Sequence, residues 1–146
     1  MSTERTTPYG MWRYGNDFRR ASLYVRDGVD DKYFMPYYFL VGQSIELSFK
    51  AFLMGRGESI EELRKRFGHN LKALSAEARR RHIGREVKLD RVHFGVIDLL
   101  SYEYTKHRFR YFEAGTMAVP DVTLIQAASD RLSEGLRTFC YKETKW

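Results

Sequence analysis

The segment Arg64-Lys-Arg-Phe-Gly-His69 brings together the residue types that metal-free phosphate chemistry requires. A histidine exchanges a proton near neutral pH, and an arginine can hold two phosphate oxygens at once. His69 with Arg64 or Arg66 is therefore a candidate base and cation for cleaving a phosphodiester. In the structural alternative, His69 caps the next helix segment and Arg64 is a solvated side chain.

A second candidate is the stretch from Tyr102 to Phe112, in which basic and aromatic residues alternate. Aromatic rings stack on nucleobases while cations hold the phosphates, which is how proteins bind single strands. The stretch contributes His107 and Arg110 to the catalytic candidates, and Arg108 and Tyr111 to the nucleic-acid-binding candidates. In the alternative interpretation, its aromatic rings pack at a helix end and its cations face water.

Most of the positive charge lies in one part of the chain. The net charge is +6, and the segment from Arg64 to His93 holds ten Lys or Arg residues against three acids. Such clustering is typical of proteins with an anionic partner. It predicts a nucleic-acid-binding surface, unless the segment is only a solvated helix face. The predicted binding residues here are Arg66, Lys72, Arg79, Arg80, Arg81 and Arg85.

Glu46 and Lys50 stand four residues apart in a stretch that is otherwise mostly apolar. Residues at this spacing are neighbours on a helix and can form an ion pair. We interpret them as supporting residues, either a partly buried structural pair or a pair that orients a functional arginine such as Arg110.

The sequence lacks the motifs of other common kinds of functional site. The sequence has no glycine-rich phosphate loop, and its one cysteine, Cys140, lies beside an apolar stripe and is predicted to be core. A zinc site needs a cluster of cysteines or histidines, and a di-iron bundle needs two Glu-x-x-His pairs; neither is found. We therefore predict no metal and no cofactor. No signal peptide is expected, so we predict a soluble, cytoplasmic protein without membrane contact.

The elements that would position these residues are predicted to be helices. The fold class is all-α, an up-and-down bundle of four to five helices, with a disordered tail over residues 1–8 and one domain over 9–146. Apolar stripes predict that Met11, Tyr14, Phe18, Ala21 and Val25 face inward from the first helix, and Leu89, Val92, Val96 and Leu99 from the fourth. The second helix is apolar on most faces and should be central. The predicted helices are 9–26, 32–54, a third from Ser59 to His82 broken at Gly68-His69, 85–107, and one from Pro120-Asp121 to Cys140.

Three motifs in this order resemble the HEPN family (higher eukaryotes and prokaryotes nucleotide-binding). They are Glu46-Leu-Ser-Phe-Lys-Ala51 in an apolar helix, Gly68-His-Asn-Leu71, and Arg110-Tyr111 after a late helix. The resemblance covers roughly residues 35–140. It implies a helical bundle, commonly a homodimer, that works on RNA or nucleotides.

The resemblance leaves three functions open. Catalytic HEPN members carry an Arg followed, after four to six residues, by a His on a late helix, whereas here the matching Arg64–His69 pair lies earlier. We therefore expect an RNA- or nucleotide-binding module with little or no enzymatic activity. The first alternative is a metal-independent ribonuclease acting as a toxin or phage-defence effector. The second is an interaction module that pairs with a nucleotidyltransferase-like antitoxin.

Overall fold

The computed structural model describes residues 6–30, 34–110 and 115–146, and this part of the chain is helical without strands. The all-α prediction is therefore confirmed. Residues 1–5 of the predicted tail lie outside the described residues; Thr6 and Thr7 precede the first helix and Pro8 begins it. The helices are α1 (Pro8–Gly28), α2 (Met35–Gly55), α3 (Ile60–Arg66), α4 (Leu71–Arg80), α5 (Arg91–Tyr104) and α6 (Val122–Lys142), with a 3-10 turn at Ile83–Arg85.

Helix α2 is the centre of the bundle, as its all-round apolar composition predicts. It contacts α1, α4, α5 and α6, and every residue from Ser44 to Leu53 is buried. Cys140 of α6 is fully buried as predicted, and burial raises the pKa of its thiol to about 12. No helix in the described ranges is both long and apolar enough to cross a membrane.

The predicted break at Gly68-His69 separates α3 from α4, and it sets the position of His69. Ser59 caps α3 by accepting from the backbone N–H of Glu62, and Asn70 caps α4 by accepting from that of Ala73. Gly68 has a φ of +53°, a conformation that glycine adopts without strain. His69 therefore lies in a fixed turn between two capped helices.

The predicted inward face of the fourth helix, α5 in the structure, is only partly right: Leu89 and Val96 pack against the core, but the other two residues do not. Val92 and Leu99 are 52% and 43% exposed, and the face that packs inward carries Ile97, Leu100 and Tyr104. The helix also begins at Arg91, where Asp90 caps it, instead of at Arg85. Several polar residues lie on the buried face with hydrogen-bond partners there, so counting apolar residues alone selected the wrong phase. They include His93, whose Nδ1 accepts from the backbone N–H of Asp90, and Ser101, whose hydroxyl accepts from that of Lys72.

The predicted inward stripe of α1 is also displaced in part, although Met11 and Val25 do pack against the core. Tyr14 is 58% exposed, and the buried positions are Trp12, Gly15 and Ser22. A Cβ at Gly15 would lie 3.1 Å from the Cβ of Leu47, so this close approach of α1 to α2 uses a small residue. Tyr14 is consequently left at the edge of the contact.

Candidate functional site

A small pocket lies where the turn before α4 meets the segment after α5. Its lining includes both histidines that the sequence singled out, and their rings are 5.3 Å apart between centroids. It encloses about 10 Å³, roughly the space that one water molecule needs, so a larger ligand would bind at its mouth. The lining residues are Phe39, Gln43, His69, Tyr104, His107, Phe109 and Arg110.

Beneath this pocket lies the carboxylate of Glu46, which is 2% exposed. Nδ1 of His69 is 3.0 Å from each of its two oxygens, and Lys50 Nζ donates to it at 2.7 Å. Tyr104 Oη donates to it at 2.8 Å. An ionised carboxylate only accepts hydrogen bonds, so Nδ1 of His69 carries the hydrogen and Nε2 is the ring nitrogen left for a ligand.

Tyr104 packs closely on α2. A Cβ on Gly42 would lie 2.4 Å from its ring, so this contact requires glycine. Burial, and next the negative charge of Glu46, raise the pKa of the Tyr104 phenol far above its ordinary value. The phenol is therefore protonated at any ordinary pH and acts as a donor to Glu46. The sequence indicated only that Tyr104 would pack at a helix end, and nothing near it in the sequence indicated this hydrogen bond.

The segment after α5 positions the second histidine and Arg110. His107 has a φ of +59°, which turns the chain there, and Phe109 stacks on Tyr38 with ring centroids 5.6 Å apart. The Arg110 guanidinium lies 5.3 Å from the centroid of the Phe39 ring at the edge of the pocket. Glu46 therefore orients His69, and Arg110 lies against the Phe39 ring.

The remaining candidates of this segment lie elsewhere. Arg108 has a side chain only 12% exposed and lies 3.6 Å from the Glu103 carboxylate, so little of it reaches the surface. Tyr111 lies outside the described residues. Arg64 lines a separate cavity of about 480 Å³ with Met11 and Tyr14, so the pocket brings His69 together with Arg110 and not with Arg64.

Much of the predicted basic surface is internally paired. Glu58 accepts from Arg66 at 3.0 Å and from Arg81 at 3.1 Å. Arg80 Nε donates to Glu77 at 3.0 Å, and this hydrogen bond is the main cause that lowers the pKa of Glu77.

Other residues of the basic surface form no such ion pair with the described residues. The Arg79 guanidinium lies 4.0 Å from the centroid of the Phe94 ring. Lys72 and Arg85 are exposed. The basic surface therefore has fewer arginines and lysines outside internal ion pairs than the sequence indicates.

The described residues contain no group of three or more side chains placed to hold a metal ion. No family model matches the chain, and no curated protein or solved structure matches it.

Proposed function

We propose that this chain binds single-stranded RNA, with one phosphate at the mouth of the pocket. The observation that carries the proposal is the convergence of His69, His107 and Arg110 from two separate segments on one small opening. Guanidinium and imidazolium groups donate charge-assisted hydrogen bonds to phosphate oxygens. The net charge of +6 adds a favourable long-range attraction for a polyanion.

The surroundings of the pocket favour a single strand over a duplex. Phe39 and Phe109, both half-buried, line the same opening as the cations, and unpaired bases can stack on aromatic rings beside a bound phosphate. The resemblance of Gly68-His-Asn-Leu71 and Arg110-Tyr111 to HEPN motifs supports the same ligand class, because His69 and Arg110 belong to both.

Fluorescence anisotropy with a labelled single-stranded RNA tests this proposal. We expect binding that weakens steeply with added salt, because each phosphate contact releases counterions. Arg110→Gln and His107→Asn should each weaken binding roughly tenfold, the loss expected for one charge-assisted contact. Asparagine is chosen at position 107 because it tolerates a positive φ.

His82→Asn is the matched control, because His82 is exposed and has the same kind of backbone conformation, with a φ of +65°. It should bind RNA like the wild type. The proposal fails if the wild type does not bind at low salt, or if the two pocket variants bind as tightly as the control.

A metal-independent ribonuclease is the second candidate, favoured by the Glu46–His69 contact beside His107. Nε2 of His69 would take the proton of an RNA 2′-hydroxyl as the 2′-oxygen bonds to phosphorus. The bond from phosphorus to the 5′-oxygen would break, and that oxygen would take a proton from protonated His107. Arg110 would hold charge on the phosphate oxygens.

Incubation of a mixed RNA with chelator present separates the two candidates. Loss of a general base typically lowers a rate about a hundred- to ten-thousand-fold, so His69→Ala should abolish any cleavage by the wild type. His107→Asn should do the same, and His82→Asn should not. Binding without chelator-resistant cleavage would leave the binding module and exclude the nuclease.

A further inference from the structure

A second opening adjoins the pocket. It is a groove of about 320 Å³ between the start of α4 and the end of α5, within the usual size range of small-ligand sites. Thr105, which lines it, has its hydroxyl 3.4 Å from the backbone carbonyl of His69, and Asn70 follows His69 directly. A strand with one phosphate at the pocket would therefore have a neighbouring nucleotide in the groove.

The groove contains a carboxylate, that of Asp98, which has no partner among the described residues. Asp98 is half-buried and makes no hydrogen bond or ion pair with any other residue in the described parts of the chain. Lys72 and Lys106 line the same groove, yet neither ammonium group lies within ion-pair distance of the Asp98 carboxylate. Lys106 Nζ instead lies 3.8 Å from the centroid of the Tyr102 ring, which is 63% exposed.

We infer that this groove is a subsite for a guanine base of single-stranded RNA, with Asp98 as the residue that determines specificity; this rests on the proposed function. A carboxylate accepts hydrogen bonds and donates none. Guanine presents two adjacent donors, N1–H and the 2-amino group, on its Watson–Crick edge. Adenine, cytosine and uracil each present a single donor group there, so only guanine can satisfy both carboxylate oxygens.

The remaining side chains of the groove fit the same ligand. The Tyr102 ring offers a surface on which a base can stack, and Lys72 and Lys106 can hold the phosphates that flank the nucleotide. The negative charge of Asp98 repels a phosphate, so a base edge is the part of the nucleotide that it can contact.

Labelled heptamers of uridine with guanosine, inosine or adenosine at the central position test the subsite by anisotropy. We expect the guanosine heptamer to bind wild type about tenfold more tightly than the adenosine heptamer. Inosine should fall between them, because it keeps N1–H and lacks the 2-amino group. Asp98→Asn should lose this preference while retaining affinity for the adenosine heptamer. Asp17→Asn, at an exposed position of α1, should behave as wild type.

Equal binding of the heptamers by wild type, or a guanosine preference that survives in Asp98→Asn, would overturn the subsite and leave the proposed function standing. If no heptamer binds, the proposed function fails, and a titration with guanosine 5′-monophosphate decides the subsite separately. Backbone amide signals of residues 98–106 should then shift with guanosine monophosphate and not with adenosine monophosphate. The absence of such shifts would overturn it.

Discussion

Glu46 is the residue on which the pocket depends. It accepts hydrogen bonds from Lys50 of its own helix, from His69 in the turn before α4 and from Tyr104 of α5. A buried charge is costly unless it is paired and hydrogen-bonded. Its three donors satisfy that requirement, and they also tie three separate parts of the chain to one carboxylate.

Replacing Glu46 with Gln should destabilise the protein strongly. The Lys50 ammonium, 7% exposed, would lose its counter-charge, and breaking a buried pair in this way costs about 3–5 kcal/mol. Urea unfolding measures the change in the free energy of unfolding. Glu134→Gln, at an exposed position of α6, is the control and should be close to neutral.

The double variant Glu46→Gln/Lys50→Met distinguishes a charge effect from a packing effect. Removing both charges should recover part of the lost stability, so the double variant should be more stable than Glu46→Gln alone. A double variant as unstable as the sum of the two single variants would contradict a dominant role for the ion pair.

At the scale of elements, the site depends on the close approach of α2 and α5. The Tyr104 ring lies against Gly42, where a Cβ would be 2.4 Å away, and Tyr104 Oη reaches Glu46 one turn further along α2. The two helices can therefore hold the Glu46–Tyr104 hydrogen bond only if position 42 has no side chain.

Gly42→Ala should lower the free energy of unfolding by about 1–3 kcal/mol, the usual cost of overpacking a core, and should also weaken RNA binding. Gly95→Ala is the matched control, because Gly95 lies within α5 and a Cβ there meets nothing within 4 Å. Alanine should stabilise that helix by about 0.5–1 kcal/mol. Thermal and urea unfolding would measure both, and equal effects at the two positions would contradict the close-approach argument.

The arginines around Glu77, first of all Arg80 of the same helix, make stability depend on pH. The hydrogen bond from Arg80, followed by the charges of Arg80, Arg66 and Arg81, lowers the pKa of Glu77 below its ordinary value of 4.5. A carboxyl with a lowered pKa in the folded state stabilises the protein above its unfolded pKa, and that contribution disappears as the pH falls through the folded pKa.

Glu77→Gln should therefore be less stable than wild type at pH 7, and the difference should shrink as the pH falls below 4.5. Urea unfolding at a series of pH values between 7 and 3 gives this difference directly. Glu134→Gln is again the control, and its difference from wild type should not change with pH. A Glu77→Gln difference that is constant down to pH 3 would show that the charge of Glu77 contributes nothing.

At the scale of the whole molecule, α1 presents an exposed aromatic surface. Tyr14 is 58% exposed and its ring packs on Phe18 with centroids 5.1 Å apart. Beside it lies the cavity of about 480 Å³ that Met11 and Leu63 line. A contiguous apolar surface of this kind is typical of an interface, and symmetric dimers are the commonest oligomers.

We predict a homodimer that uses this face of α1. Light scattering at micromolar concentration should give twice the chain mass, and Tyr14→Lys should shift the protein toward the monomer because it places a charge in the interface. Tyr24→Lys is the control, since Tyr24 is 75% exposed and lies roughly 80° round the helix from Tyr14. A wild type that scatters as a monomer throughout the micromolar range would refute the prediction.

The sequence by itself determined the order of the helices and some of the places where they end, although α5 begins six residues later than its apolar pattern predicts. The cap at Ser59 and the break at Gly68 depend on residues within a few positions of one another, so the sequence predicts them. The cap of α4 is Asn70 and not His69, the residue that the structural alternative names. The central position of α2 was likewise predictable, because a helix that is apolar on most faces must be covered on most faces.

Only the tertiary structure decided which of these residues meet. Glu46 is 23 positions from His69 and 58 from Tyr104, and the sequence contains no local signal for contacts at such separations. Local spacing paired His69 with Arg64, whereas packing of α5 on α2 placed Arg110 at its pocket. The inward phase of α5 was decided in the same way, because buried polar side chains with long-range partners cannot be distinguished in the sequence from solvated ones.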